Sequence, residues 1–235
     1  MGTKKRNLVN NIIAGISGFA LFTSLFLTVI FCIGFNRSFY AWQYALGRTY
    51  ETIGMSMGGL MRSTDALLDY IQNKRGDIII RENVNGIERE IFNRRETLHM
   101  VDVKNLYINA MNLRNILLIT SISVIVILCL INRKAIYSVL LCVYRNGLIV
   151  VAAVIGFLAT WACIDFDGFW MNFHYVLFNN DLFLLDPNVS IMINMFPSNF
   201  FFALVMGIVL AFALIIVLMG IGLFTYKKYL KKKHS

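Results

Sequence analysis

Four long apolar runs dominate this chain. Ile12–Phe35 runs 24 residues without a charge, Ile116–Ile131 runs 16, Gly147–Ile164 runs 18 and Phe200–Phe224 runs 25. A helix needs roughly 20 residues to cross about 30 Å of hydrocarbon. The first and last runs clear that length and the third comes close to it. The second is short, but Leu106–Asn115 holds no Gly or Pro and can continue its helix outward. With hydrophobic residues at 58% and charged residues at 15%, the chain is too apolar for a water-soluble globule. It is also too apolar to remain disordered. Two prolines and 16 glycines exclude collagen-like and low-complexity chains. Cys32, Cys129, Cys142 and Cys163 lie within or at the ends of apolar runs, so they form no spaced disulfide framework. The first run follows Lys4, Lys5 and Arg6, but it is too long for a signal-peptide core and lacks an A-x-A site. It reads as an uncleaved anchor. The expectation is an all-α integral membrane protein, one membrane domain over residues 1–235, with four transmembrane helices.

Charge orients these spans. The N-terminal tail, the loop Asn132–Asn146 and the C-terminal tail with Lys227, Lys228, Lys231, Lys232 and Lys233 together hold 11 of the 22 basic residues and no acid. Arg37–Asn115 and Asp165–Asn199 hold all 13 carboxylates, and the second of these has neither Lys nor Arg. The positive-inside rule then puts both termini in the cytoplasm and residues 37–115 and 165–199 outside. The net charge of +9 is thus a topology signal and an attraction to anionic membrane lipid, with no nucleic acid required. Trp42, Trp161 and Trp170 fall near the outer ends of spans, where an aromatic belt sits.

At 79 residues, Arg37–Asn115 is too long for a bare loop. Met55–Ile71 has apolar residues at helical spacing. Ile78-Ile79-Ile80, Asn85-Gly86 and Ile87 to Phe92 read as a β-hairpin around an Asn-Gly turn. From Glu96 the pattern is helical and runs into the second span. Asp165–Asn199 holds a helical stretch at Phe169–Phe178, a polar turn and a second apolar stretch ending at Pro197. The two loops are expected to meet as one extracytoplasmic cap of short helices and a hairpin.

The spans carry no Asp, Glu, Lys, Arg or His, which argues against a pump or secondary transporter. Polar chemistry gathers instead around three histidines. His234 lies in the lysine tail and reads as solvated. His99 and Asp102 are i,i+3 neighbours on a helix, where a carboxylate can orient an imidazole. The same spacing also fits a surface ion pair at a helix start. Trp170, His174, Phe178 and Asp181 share a helical face, which fits equally an interfacial aromatic stripe. A metal site of His99, His174 and a carboxylate has no supporting H-E-x-x-H or paired-Cys spacing, so no metal or cofactor is expected. No G-x-S-x-G elbow is present, and Cys163 at the outer boundary is as readily a small core residue as a nucleophile.

The segments HMVDVKNLY (His99–Tyr107) and FHYVLFNNDLFLLDPNVSIMINMFPSNFF (Phe173–Phe202) resemble the two signature stretches of the bacterial lipoprotein intramolecular transacylases, and the order of spans and loops is similar over essentially the whole chain. Two positions depart from that pattern. Phe183 stands in place of Trp, and Ser190 in place of an acidic residue. The resemblance implies a four-span membrane enzyme with an extracellular cap. Its substrate is a diacylated lipoprotein whose N-terminal cysteine carries a diacylglyceryl thioether. The sn-2 acyl chain moves to the cysteine α-amine, giving a lyso-form lipoprotein. The family's two catalytic histidines fall on His99 and His174.

This chemistry suits the residues. Aminolysis of an ester needs one group to take the amine proton and one to protonate the departing glyceryl oxygen; histidine can do either. The amine is the nucleophile, so no enzyme Ser or Cys is required. Which histidine is base stays open, with Asp102 favouring His99 by raising its basicity. Trp170, Phe173 and Phe178 are the expected substrate pocket, holding amine and ester together. Lys104, Asn105, Asn172, Asn179 and Asn180 are candidate oxyanion donors, and Asp181 and Asp186 are expected supporting residues. Two other classes remain. One is an intermolecular lipid acyltransferase or lipase; the other is a non-enzymatic membrane accessory protein. Oligomeric state stays open.

Overall fold

In lipid every backbone N–H and C=O must find its partner within the chain, so apolar runs of this length become helices. The computed structural model describes residues 3–233, with side chains from Leu8 onward, so His234 and the side chains of Lys4, Lys5 and Arg6 lie outside the described residues. The order is α1 (Thr3–Gly34), α2 (Arg37–Gly47), α3 (Thr49–Ile53), α4 (Met57–Ile71), β1 (Arg81–Val84), β2 (Ile87–Glu90), α5 (Arg94–Ile131), α6 (Ile136–Ile164), α7 (Phe166–Leu177), α8 (Ile191–Met195) and α9 (Ser198–Lys233). A single 3₁₀ turn, Arg133–Ala135, joins α5 to α6. Among the described residues, four helical stretches are long and apolar enough to cross a membrane: Leu8–Gly34, Arg94–Ile131, Arg133–Ile164 and Ser198–Lys233. The 38 residues of α5 extend about 57 Å, nearly twice the hydrocarbon thickness. Its charged first turns therefore lie beyond the apolar stretch that spans.

The chain divides into two compact units. The first takes the chain up to Phe31, Met111–Thr160 and everything from Met206 on. Here α1 and α6 cross at Gly18 and Gly147, so closely that a Cβ on either would strike the other helix's backbone. Such small-residue crossings are how apolar helices pack without a hydrophobic driving force between them. Beside the crossing, Tyr144 Oη donates to the Ile216 carbonyl at 3.1 Å, and Phe22 meets the Tyr144 ring edge-on.

The second unit comprises Cys32–Ala110 and Trp161–Val205. Its core gathers Tyr44, Leu60, Ile78, Phe92, Met195 and Phe200 from both stretches, so the two loops do meet. Asn36 caps α2 by accepting from the Ser38 N–H, and Ser56 caps α4 by accepting from the Gly59 N–H. The buried Tyr44 hydroxyl is satisfied by Thr64 Oγ1 at 2.8 Å. β1 and β2 pair antiparallel with Arg81 opposite Glu90 and Val84 opposite Ile87. Asn85 (φ 54°) and Gly86 (φ 84°) both take the left-handed conformation, as a two-residue hairpin turn of matching twist requires.

Three details depart from the sequence reading. The paired strand starts at Arg81; Ile80 still accepts from the Ile91 N–H at 3.0 Å, but Ile78 is a core residue instead. α2 and α3 fill a stretch with no predicted helix: Trp42 and Leu46 lie exposed opposite buried Tyr40 and Tyr44, which blurs the apolar periodicity. α7 ends at Leu177, and Phe178 is extended.

Candidate active site

The second unit brings His99 and His174 together. His99 rides on the second turn of α5, whose start is closed by a capping box. Asn93 Oδ1 accepts from the Glu96 N–H at 3.0 Å, and Glu96 Oε2 accepts from the Asn93 N–H at 2.5 Å. The other carboxylate oxygen, Oε1, accepts from Ser190 Oγ at 2.5 Å and from the Met192 N–H at 2.9 Å. Glu96 is fully buried, and three donors fill its oxygens. A buried carboxylate persists on such terms. It ties the first turn of α5, one turn before His99, to the start of α8. Sequence reasoning passed over Glu96, although the Asn-x-x-Glu spacing at a helix start was its visible signal. Ser190, where the family pattern has an acid, is here the donor to one.

His174 lies in the last turn of α7, which Asp165 caps by accepting from the Gly168 N–H. Its Nδ1 meets the Trp170 carbonyl at 2.7 Å. A carbonyl only accepts, so Nδ1 carries the proton and Nε2 keeps its lone pair. The His99 and His174 ring centroids are 6.1 Å apart. Phe178 meets His99 edge-on at 5.1 Å and lies 5.8 Å from His174. Phe183 stacks on His174 at 5.1 Å, and Trp170 meets it edge-on at 4.9 Å. Trp170 stacks with Phe173 at 5.2 Å and with Phe201 at 4.2 Å.

Burial sets the protonation of the pair. Burial foremost, and then the neighbouring His174, lower His99 from 6.5 to about 4, with Asp102 pulling weakly the other way. Burial also lowers His174, against the bond to the Trp170 carbonyl, which favours the charged ring. Both imidazoles are thus neutral at neutral pH. His99 Nδ1 is buried and meets no hydrogen-bond partner among the described residues.

The remaining predicted residues scatter. Asp102 does not raise His99 above its ordinary value, because burial outweighs it, and its Oδ2 accepts instead from Asn180 Nδ2 at 2.9 Å. The face proposed for Trp170, His174, Phe178 and Asp181 breaks at Leu177. Phe178 still reaches both histidines from its extended position, but Asp181 pairs with Arg95 at 3.5 Å. Lys104 sits 4.4 Å over the Tyr70 ring, and Asn105 is exposed. Asn172 Nδ2 donates to the Gly168 carbonyl, and Asn179 is exposed. Asp186 accepts from Asn188 and closes a turn. Phe183 and Phe201 join the aromatic wall although neither was predicted to line it. Among the described residues, no three His, Cys, Asp or Glu side chains gather as a metal site.

The family model for "Lipoprotein intramolecular transacylase Lit" matches residues 15–201, a stretch that includes both histidines. The chain belongs to the lipoprotein intramolecular transacylase (Lit) family. Its fold is that of the membrane-integral Lit from Bacillus cereus, with a TM-score of 0.73 at 20% identity over 97% of this chain and 98% of that one. A histidine-to-alanine variant of the B. cereus Lit gives a TM-score of 0.77 at 19% identity, covering 99% of each chain. A histidine-to-arginine variant gives 0.73 at 20%, covering 98% of this chain and 96% of that one. No curated protein matches by sequence. As a member of the Lit family the chain is a membrane acyltransferase that acts within lipoproteins.

Proposed function

We propose that this Lit-family chain transfers the sn-2 acyl group of a diacylglyceryl lipoprotein to the α-amine of its N-terminal cysteine, with His99 and His174 as the proton-transfer residues. The observation that carries this reading is the pair itself: two imidazoles 6.1 Å apart, walled by Phe178, Phe183 and Trp170. The amine nitrogen attacks the ester carbonyl carbon and an N–C bond forms. The bond from that carbon to the glyceryl oxygen breaks. His99, whose Nδ1 has no other partner among the described residues, takes the amine proton. That proton passes to Nε2 of His174, whose lone pair is free and whose charged form the Trp170 carbonyl favours, and from there to the departing oxygen. Both rings end neutral, as they began. The products are an amide and a free hydroxyl on the same molecule. Amine and ester must close a medium-sized ring, so the rigid aromatic wall contributes by holding them in reach. The 11 basic residues in short acid-free segments support a cytoplasmic position for both termini and an extracytoplasmic one for the site.

The test mixes two diacylated lipopeptides of different peptide mass, one with isotope-labelled sn-2 chains. Intramolecular transfer gives only the two parental masses, each with its acyl group moved to nitrogen. Mixed masses approaching the statistical ratio would instead establish a separate donor or a shared acyl-enzyme. In the same assay, His99→Ala and His174→Ala are each expected to lose about 10²–10⁴-fold in rate while keeping the wild-type melting temperature. A variant with near-full activity would remove that residue from the mechanism.

A further inference from the structure

The reaction proposed above consumes a free amine, yet an α-amine of pKa about 7.7–8.0 arrives at neutral pH mostly as ammonium. A cation entering an aromatic pocket needs a counter-charge or a ring to meet. The carboxylates near the histidines differ in what they have to offer. Glu96 is fully buried and filled by three donors. Asp181 is paired with Arg95. Asp102 is different. It is one turn past His99 on α5, only partly buried, and in no ion pair among the described residues. Its one hydrogen bond among the described residues is from a neutral donor, Asn180 Nδ2, to Oδ2, which holds the carboxylate toward the segment following α7 and leaves Oδ1 with no partner among those residues. Phe178, two residues before Asn180, lies edge-on to His99.

We propose that Asp102, steered by Asn180, is the docking site for the substrate's terminal ammonium, with Phe178 beside it and His99 one turn away. The inference rests on the transacylase reading and adds what recognises the acceptor end of the substrate. It also gives a reason for turnover to run forward. Acylation removes the positive charge, so the product lacks the group that Asp102 holds.

The test measures binding to the full-length protein in lipid nanodiscs, at pH 7. Two non-reacting ligands are used: a dialkyl-ether glyceryl cysteine dipeptide with a free α-amine, and the same compound N-acetylated. A charge-assisted bond predicts that the wild type binds the amine about 10- to 100-fold more tightly. Asp102→Asn is expected to abolish that preference and leave affinity for the N-acetyl ligand unchanged, which also reports that the variant is folded. Glu88→Gln, on the exposed hairpin, should keep it. Equal affinity of the wild type for both ligands would overturn the proposal, whatever the variants do, and so would a preference that survives in Asp102→Asn. The readout is binding, so it stands apart from the crossover assay. A wild type that shows no preference but intact intramolecular transfer would remove the docking site alone, and crossover with the wild-type preference intact would remove the transacylase reading alone.

Discussion

His99 is an imidazole kept from the charge it would carry in water at mildly acidic pH. Only 7% of the residue is exposed, and it titrates near 4 in place of 6.5. Between those values the unfolded chain binds more protons than the folded one, so folding stability rises with pH across that window. His174, lowered in the same direction, adds to the slope. Melting temperature in detergent is therefore expected to climb from pH 4.5 to 6.5, and His99→Leu should flatten part of the climb. A wild-type curve level over that range would show that the ring is not held neutral by burial. Both histidines were legible in the sequence, because each sits in a short stretch with its own signature. Asp102 was legible as a neighbour of His99, but its bond to Asn180, 78 residues away, was not. Phe201 was hidden for the same reason, and so were the distant bonds of Glu96, although its Asn-x-x-Glu spacing marked the local ones. Their partners lie on other elements, and spacing along one helix says nothing of a contact across the fold.

At the scale of elements, the readable features were those with a local cause. The Asn85-Gly86 turn set the hairpin, and the apolar periodicity of Met55–Ile71 set α4, which begins two residues later at Met57. The end of α7 was unreadable because Phe169–Phe178 is apolar on nearly every side. No turn residue follows until Asn179, so nothing local marks Leu177 as the last helical position. Between helices, the Gly18–Gly147 crossing leaves no room for a side chain. Gly147→Leu is expected to force α1 and α6 apart and cost about 1–3 kcal/mol of stability. Gly156→Ala, on the same helix with no atom within 4 Å of a new Cβ, should be neutral or slightly stabilising. Thermal unfolding of the two variants in detergent checks this, and equal melting temperatures would show that the crossing can yield.

For the whole molecule, the distribution of charge predicts which side of the membrane each loop occupies. Single cysteines at Glu88 and Val189 are both exposed probes of the acid-rich stretches, and Ser138 probes the basic loop between the second and third spans. In a background without the four native cysteines, an impermeant thiol reagent on intact cells should label the first two alone. Labelling at 138 would reverse the orientation.

The bond from Glu96 to Ser190 closes over a separation of 94 residues. Time is what that separation means to a chain still being made. At roughly 5–20 residues per second, the ribosome needs about 5–20 s after completing Glu96 before Ser190 exists at all. Through that interval the charged first turns of α5 are in place while the acid that anchors them lacks its buried donors. The anchor of the His99-bearing helix is therefore among the last parts of the molecule to be made, after three of the four spans have been synthesised. A nascent chain halted before residue 190 would hold His99, and even His174, with the fastening of α5 to α8 not yet made.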